Sequence, residues 1–297
     1  LKDGLESVSL SANWMWACKN EGEDARLYAA VKACSDFAIS LGINIPTGKD
    51  SLSMKQKYKD EEVISPGTVI ISAAGHCDDI KNVIEPVLKK NGGSIYYINL
   101  SGEQYKLGGS SFAQILNKIG DETPDVVDAG QFKLAFNTLQ ELIKGGHIQA
   151  GHDIGSGGLI TTLLELCFAD RGLGANLDLS ALGSQDIIAK LFAENIGVVF
   201  QANEAAEAEL KAKGIAFYKI GEVSAQATLT IKDGSGNWSF DIDALRDVWF
   251  KTSYLLDQKQ SGPVKAKERF DHYKNHVLNY SFPLNFDGRK PVIDPSK

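Results

Sequence analysis

A short polar, glycine-rich stretch, His152-Asp153-Ile154-Gly155-Ser156-Gly157-Gly158-Leu159, runs directly into the apolar segment Ile160-Thr161-Thr162-Leu163-Leu164-Glu165-Leu166. Any fold of this chain has to begin a helix where that turn ends. Small residues let a backbone approach closely, and the first N–H groups of a helix point outward unpaired, so such a turn can receive an anion. Asp153 lies beside it. A carboxylate next to a phosphate-binding turn needs a cation between the two negative groups, and Mg²⁺ held by oxygen ligands supplies one. The eight residues also fit a plainer arrangement, in which Asp153 or Ser156 caps the helix and the glycines make a tight turn. On their own they favour the cap, because short glycine motifs recur by accident.

The 297 residues suffice for two domains of ordinary size. With 43% hydrophobic and 23% charged residues the composition is that of a soluble globular protein. A net charge of -7 argues against a nucleic-acid binder, which needs a basic face to displace counterions, but not against a phosphorylated small substrate. Cys18, Cys34, Cys77 and Cys167 have neither paired nor metal-ligand spacing, and they read as reduced, mostly buried thiols of a cytoplasmic protein. No apolar run approaches a membrane span and no signal peptide opens the chain. The first residue is Leu1 within an amphipathic pattern, which leads us to expect a fragment of something longer.

Along the chain, Leu27, Ala30, Val31, Cys34, Phe37 and Ala38 recur at helical spacing after the acidic start Glu21-Gly22-Glu23-Asp24, and Gly42 suits a C-cap. A short strand at residues 43–45 is expected to open into a loop, Pro46-Thr47-Gly48-Lys49-Asp50-Ser51-Leu52-Ser53-Met54. Its ammonium, hydroxyl and flexible backbone suit an oxyanion, although it is not a Walker A loop and a solvated turn fits it as well. A strand at residues 53–58 runs into a charged hairpin region at 55–62, a buried strand follows at 67–74 and a helix at 80–88. His76-Cys77 reads as the entry to that helix rather than as a metal site, because no partner spacing accompanies it. This first segment alternates in the manner of a ferredoxin-like layer. Lys89-Lys90-Asn91-Gly92-Gly93 marks a domain boundary.

Beyond it we expect a strand at 94–100, a glycine-and-hydroxyl helix entry at 107–114, and an amphipathic helix at 128–144. The central turn and its helix follow, then a turn feeding a buried strand at 191–200, a helix at 205–213, and strands at 217–223 and 227–232. Helices at 241–260 and 264–280 carry many aromatic and charged residues, and the proline-containing stretch 283–297 reads as a linker. The fold class is α/β (α+β). An incomplete ferredoxin-like part spans 1–92, a mixed α/β domain 93–237, and a helical arm with linker 238–297.

The ordered set of blocks is more specific than any one of them. Leu10-Ser11-Ala12-Asn13-Trp14-Met15, Gly22-Glu23-Asp24 with Leu27-Tyr28, Gly48-Lys49-Asp50-Ser51-Leu52-Ser53-Met54, Leu107-Gly108-Gly109-Ser110 and His152-Asp153 with Gly157-Gly158-Leu159 occur in sequence. This set resembles the large form of phosphoribosylformylglycinamidine synthase, a glutamine-dependent amidotransferase of purine biosynthesis. The related aminoimidazole ribonucleotide, selenophosphate and thiamine-phosphate enzymes lack the Leu-Ser-Ala-Asn-Trp and Gly-Lys-Asp-Ser-Leu-Ser-Met blocks.

The resemblance implies most of the second of two synthetase-like halves, without the first half, the N-terminal domain, the C-terminal glutaminase and the opening part of its own half. It implies ATP or ADP and Mg²⁺ as cofactors and a phosphorylated ribonucleotide as substrate, with no nucleic-acid or membrane partner. Of the family's magnesium ligands in that half, only the Asp of the His-Asp motif is present, at Asp153. Lys49, Asp50 and Ser51, with Gly155 and Ser156, fall at nucleotide- or phosphate-contacting positions, and no residue is implied as nucleophile or general base. The family's His-Asp-Arg-Ser-Asp-Gly-Gly pattern is broken here, since Ile154, Gly155 and Ser156 replace Arg, Ser and Asp. Gly155 has no side chain to donate, so the contact falls to a backbone N–H or to Ser156. An isolated second half is expected to be inactive, or to serve as a non-catalytic module that holds a structural nucleotide and supports assembly.

Overall fold

The computed structural model describes residues 1–183 and 186–275. It separates into two compact units, Leu1–Asp243 and Ala244–Lys297.

The first unit opens with β1 (Ser9–Met15), α1 (Glu23–Leu41), β2 (Asn44–Ser51), the hairpin β3 (Lys55–Tyr58) and β4 (Glu61–Ile64), and β5 (Thr68–Ala74). β2, β1 and β5 form a three-stranded sheet in that order, with β1 parallel to β2 and antiparallel to β5. Gly42 ends α1 in the left-handed conformation that a C-cap demands.

Residues 46–51 are not a loop: Lys49, Asp50 and Ser51 pair with Asn13, Trp14 and Met15, because an available neighbouring strand satisfies the backbone better than solvent does. β5 exists as expected but is exposed rather than buried, with Val69, Ile70 and Ile71 at 41%, 52% and 41%. Residues 80–88 form no helix. Pro86 disfavours helical backbone before it, and the segment bonds instead to its neighbours, with Glu85 O accepting from Gly151 N and Leu88 N donating to Leu166 O.

A seven-stranded sheet follows, built from β6 (Ser94–Asn99), β7 (Ile148–Asp153), β8 (Gly174–Asp178), β9 (Gly197–Ala202), β10 (Tyr218–Ser224), β11 (Thr228–Asp233) and β12 (Gly236–Asp241). Its order is β12-β11-β8-β10-β6-β9-β7, antiparallel except for β11 beside β8. The helices of this region are α2 (Ser111–Ile115), α3 (Ala129–Lys144), α4 (Gly158–Phe168), α5 (Ile187–Phe192) and α6 (Glu204–Ala212). β8 and β12 answer to no strand expected from the sequence, and β12 runs across residues 237 and 238, the expected end of the mixed domain and start of the arm.

The period of two along β6 explains the two cores. Ile95 and Tyr97 join the cluster that holds Leu159, Leu163 and Leu166 of α4. Tyr96 and Ile98 join the opposite cluster, with Ala135 and Leu142 of α3 and Leu210 of α6. Each fully buried side chain of this kind contributes about 1.5–3 kcal/mol. α4 is apolar nearly all round because it lies deep, and Leu159, Ile160, Thr162, Leu163, Leu166 and Cys167 are all buried. Cys167 is the buried thiol, Cys77 is exposed, and Cys18 and Cys34 are intermediate, so the expectation of mostly buried cysteines does not hold.

The second unit takes up α7 (Ile242–Ser261) after its first residues and α8 (Pro263–His272), closed by a short 3-10 turn, Tyr273–Asn275. Tyr254 stacks on Phe270 and Phe250 lies against Tyr273, joining the two helices through aromatic faces. The end of the expected second helix and the linker lie outside the described residues. No helix among the described residues is long and apolar enough to cross a membrane.

Candidate functional site

The glycine-rich turn sits where edge strand β7 hands over to α4. β7 ends at Asp153, paired with Val198 of β9, and Ile154 N donates to Gly197 O at 2.9 Å. Gly157 caps the helix at φ 92° and Gly158 follows at φ 75°. A Cβ at Gly158 would lie 2.8 Å from Leu191 O and 2.9 Å from Ala193 O, so both the backbone conformation and the close packing require glycine. Gly155 carries no such demand, since nothing lies within 4 Å of the position its Cβ would take.

Asp153 is thrust into solvent, its side chain 86% exposed. His152 lies against it, with Nδ1 2.7 Å from the Asp153 carbonyl oxygen and 3.3 Å from its carboxylate. The other ring nitrogen is 3.2 Å from Glu165 Oε2 on α4, so imidazole and helix hold each other. Thr162 Oγ1 donates to Asp153 O at 3.1 Å, which ties the strand end to the helix. The backbone N–H groups of Gly155 and Ser156 make no hydrogen bond among the described residues.

The α4 N-terminus is not vacant. Glu194 Oε1 accepts the N–H of Gly157 at 2.8 Å and, at the same length, the N–H of Ser111 at the start of α2. Sequence reading missed this residue, and its only signal was a lone carboxylate in the apolar run 191–200. α5, which leads into it, is fixed by a buried ion pair from Lys190 to Asp233 at 2.7 Å. Burial pushes the Asp233 carboxyl up, but the Lys190 ammonium outweighs it and holds the group below the usual carboxylate range.

His152, Asp153 and Glu194 line one end of a cleft of ≈ 520 Å³, whose remaining walls include Phe132, Leu139 and Val198. No lysine or arginine lines it, so an anion entering there needs a cation brought with it. Lys49 and Asp50 line a different cleft of ≈ 360 Å³ formed with Trp14, Leu27 and Val31, and Lys49 Nζ donates to Ser51 Oγ. Neither Gly155 nor Ser156 lines either cleft. The structure thus gathers Asp153, Gly155 and Ser156 on one turn and places Lys49, Asp50 and Ser51 on another surface. Among the described residues no three His, Cys, Asp or Glu side chains gather as a metal site. Asp153 would offer Mg²⁺ a carboxylate oxygen, and one such ligand does not make a complete site.

Residues 2–76 match the FGAR-AT PurM_N-like domain, and residues 90–234 match the C-terminal domain of AIR synthase related proteins. The chain is 38% identical over 288 residues to the probable chloroplastic/mitochondrial phosphoribosylformylglycinamidine synthase of Arabidopsis thaliana, covering 93% of this chain and 20% of that protein. In fold it resembles T. maritima PurL complexed with FGAR (TM-score 0.59, 14% identity, 80% of this chain and 39% of that one). Structures of the same PurL hold ATP, AMPPCP and ADP. It also resembles the hydrogenase maturation protein HypE in complex with ATP (TM-score 0.53, 14% identity, 78% and 72%). With its two domains in this order, the chain belongs to the phosphoribosylformylglycinamidine synthase family, as a segment spanning about a fifth of the length of its plant relative.

Proposed function

We propose that this chain is a nucleotide-contacting part of an enzyme that converts formylglycinamide ribonucleotide, glutamine and ATP into formylglycinamidine ribonucleotide, ADP, phosphate and glutamate. The observation that carries the reading is the 38% identity to the plant synthase across 93% of the chain. In such a carbon–nitrogen ligation, ATP activates the amide oxygen and ammonia from glutamine displaces the phosphate. The protein's share of phosphoryl transfer is positioning and charge neutralisation.

Asp153 would supply one oxygen ligand to Mg²⁺, whose charge would offset that of the nucleotide's phosphates. The free N–H groups of Gly155 and Ser156 offer contacts to phosphate oxygen in place of the side chains the family uses. Lys49 and Asp50 line a separate cleft beside Ser51, and Lys49 provides an ammonium to a second phosphate-bearing group, such as the ribonucleotide substrate. The remaining metal ligands, the other synthetase half and the glutaminase belong to other parts of a longer polypeptide. The exposed apolar side chains of β5 support that reading, because Val69 and Ile71 on one face and Ile70 on the other are left for a further part of the protein to cover. We retain the division into 1–92, 93–237 and 238–297, and a cytoplasmic setting, as parts of this proposal.

A second reading has its own observation. Glu194 occupies the α4 N-terminal N–H that a phosphate would take, and the metal ligands are incomplete, which favours a half that holds a structural nucleotide without turning it over. Segment exchange separates the cases. This chain replaces the matching segment of the plant synthase, and amidine formation is followed with ammonia or glutamine. We expect turnover by the exchanged enzyme and none by the chain alone. A folded exchange enzyme without activity, or ATP-dependent turnover by the chain alone, contradicts the proposal. If Asp153→Asn in the exchanged enzyme lowers Tm without lowering kcat, the structural-nucleotide reading is the correct one.

A further inference from the structure

Glu194 stands where three loops meet. Its Oε1 receives the N–H of Ser111, at the end of the 107–110 turn, and the N–H of Gly157, at the end of the central turn, each at 2.8 Å. Its neighbours extend the junction. Asn195, buried at 1%, donates from Nδ2 to Asn99 Oδ1 and to Gln104 O, both at 3.3 Å. Ile196 N donates to Ser101 Oγ at 2.9 Å, and Leu100 N returns a bond to Ile196 O at 2.8 Å. On the other side Phe192 stacks on Phe112 of α2, with centroids 4.7 Å apart.

A carboxylate accepting two backbone N–H groups forms charge-assisted bonds, roughly twice as strong as neutral ones. Both donors open helices, where N–H groups are otherwise orphaned and negative charge is favoured. A single oxygen serving both donors fixes the distance between the two turns, which separate side chains would not.

We propose that Glu194 is a positioning residue. Its carboxylate clasps the 107–110 and 154–157 turns into one rigid surface, and that surface presents Asp153 and the free N–H groups of Gly155 and Ser156 to a nucleotide's phosphates. The inference rests on the nucleotide reading above. It extends that reading to a residue that acts through the turns and touches no ligand itself. Glutamine at 194 keeps the accepting oxygen and loses the charge. Aspartate is one methylene too short to reach both donors, and alanine removes the clasp.

The test is amide NMR of this chain and its variants, with Mg-ADP as the probe. In the wild type, the Ser111 and Gly157 amide protons are both protected from hydrogen exchange. Both stay protected in Glu194→Gln, where Mg-ADP affinity stays within about threefold. Both lose protection in Glu194→Ala and at least one does in Glu194→Asp, and affinity falls by about tenfold or more in each. Protection that persists at both amides in Glu194→Ala overturns the clasp. Unchanged Mg-ADP affinity in both Glu194→Asp and Glu194→Ala overturns the positioning role. If the two amides lose protection together in Glu194→Ala but Mg-ADP does not perturb the wild type, the nucleotide reading has failed and takes the positioning role with it, while the clasp stands.

Discussion

The two sheets of the first unit are built on the same strand chemistry and end in opposite states. β6 of the seven-stranded sheet, Ser94–Asn99, reads Ile95-Tyr96-Tyr97-Ile98 through its middle and buries all four to 1% or less, two on each face. β5 of the three-stranded sheet, Thr68–Ala74, reads Val69-Ile70-Ile71 and leaves all three exposed. The difference lies in what covers each strand. Helices α4 and α3 pack on opposite faces of the larger sheet. β5 forms the edge of a small sheet and contributes no residue to any buried cluster. An apolar strand therefore records the surroundings it was selected for, which a segment of a longer protein need not supply.

The sharpest way to break this comparison is to truncate one side chain in each sheet. Phe200→Ala in β9 removes a ring that is 1% exposed and stacked on Tyr96 at 5.7 Å, and should cost about 3–5 kcal/mol by denaturant unfolding. Ile70→Ala, at 52% exposure, should cost under about 1 kcal/mol in this chain. Equal losses would mean that the β5 face is covered in solution.

A smaller contrast lies within the central turn. Gly158→Ala meets a positive φ and two carbonyl oxygens and should destabilise by about 1–3 kcal/mol. Gly155→Ala meets open space and should stay within about 0.5 kcal/mol. Thermal melts of the two variants decide it, and a costly Gly155→Ala would show that residue to be conformationally required.

The smallest effect is electrostatic and confined to the larger sheet. Hydrogen bonds from Ser180 and from Lys232 hold the Asp178 carboxyl at about 2, below its ordinary 3.8. Because the folded value is depressed, the stabilisation is fully present above pH 3.8 and is lost as pH falls through about 2. Carboxyl NMR should place the Asp178 midpoint near 2, and Asp178→Asn should flatten the acid limb of stability over that window. An unshifted midpoint would remove the contact.

The sequence spoke most clearly where local chemistry decides structure. α3 begins at Asp128, whose carboxylate accepts the N–H groups of Gly130 and Gln131, and its apolar stripe was visible at helical spacing. The strand–turn–helix passage around Asp153 was visible because positive φ at Gly157 and Gly158 calls for glycine there. It was obscure where distant chain decides. Gly48-Lys49-Asp50-Ser51 has turn-forming composition, yet it lies in a strand because β1 offers it a partner. Residues 80–88 had helical spacing that Pro86 and the bonds to Gly151 and Leu166 override. Glu194 was invisible because its meaning comes from two N–H groups far away in the chain.

The central claim is the proposal that the turn after β7 is part of a magnesium–nucleotide site with Asp153 as a metal ligand. Calorimetric titration of Mg-ADP into the wild type and into Asp153→Asn tests it most directly. The account predicts a wild-type Kd weaker than about 0.1 mM, because the ligand set is incomplete, and a further loss of about tenfold or more in Asp153→Asn. Tight binding that survives Asp153→Asn unchanged would contradict it and remove Asp153 from the site.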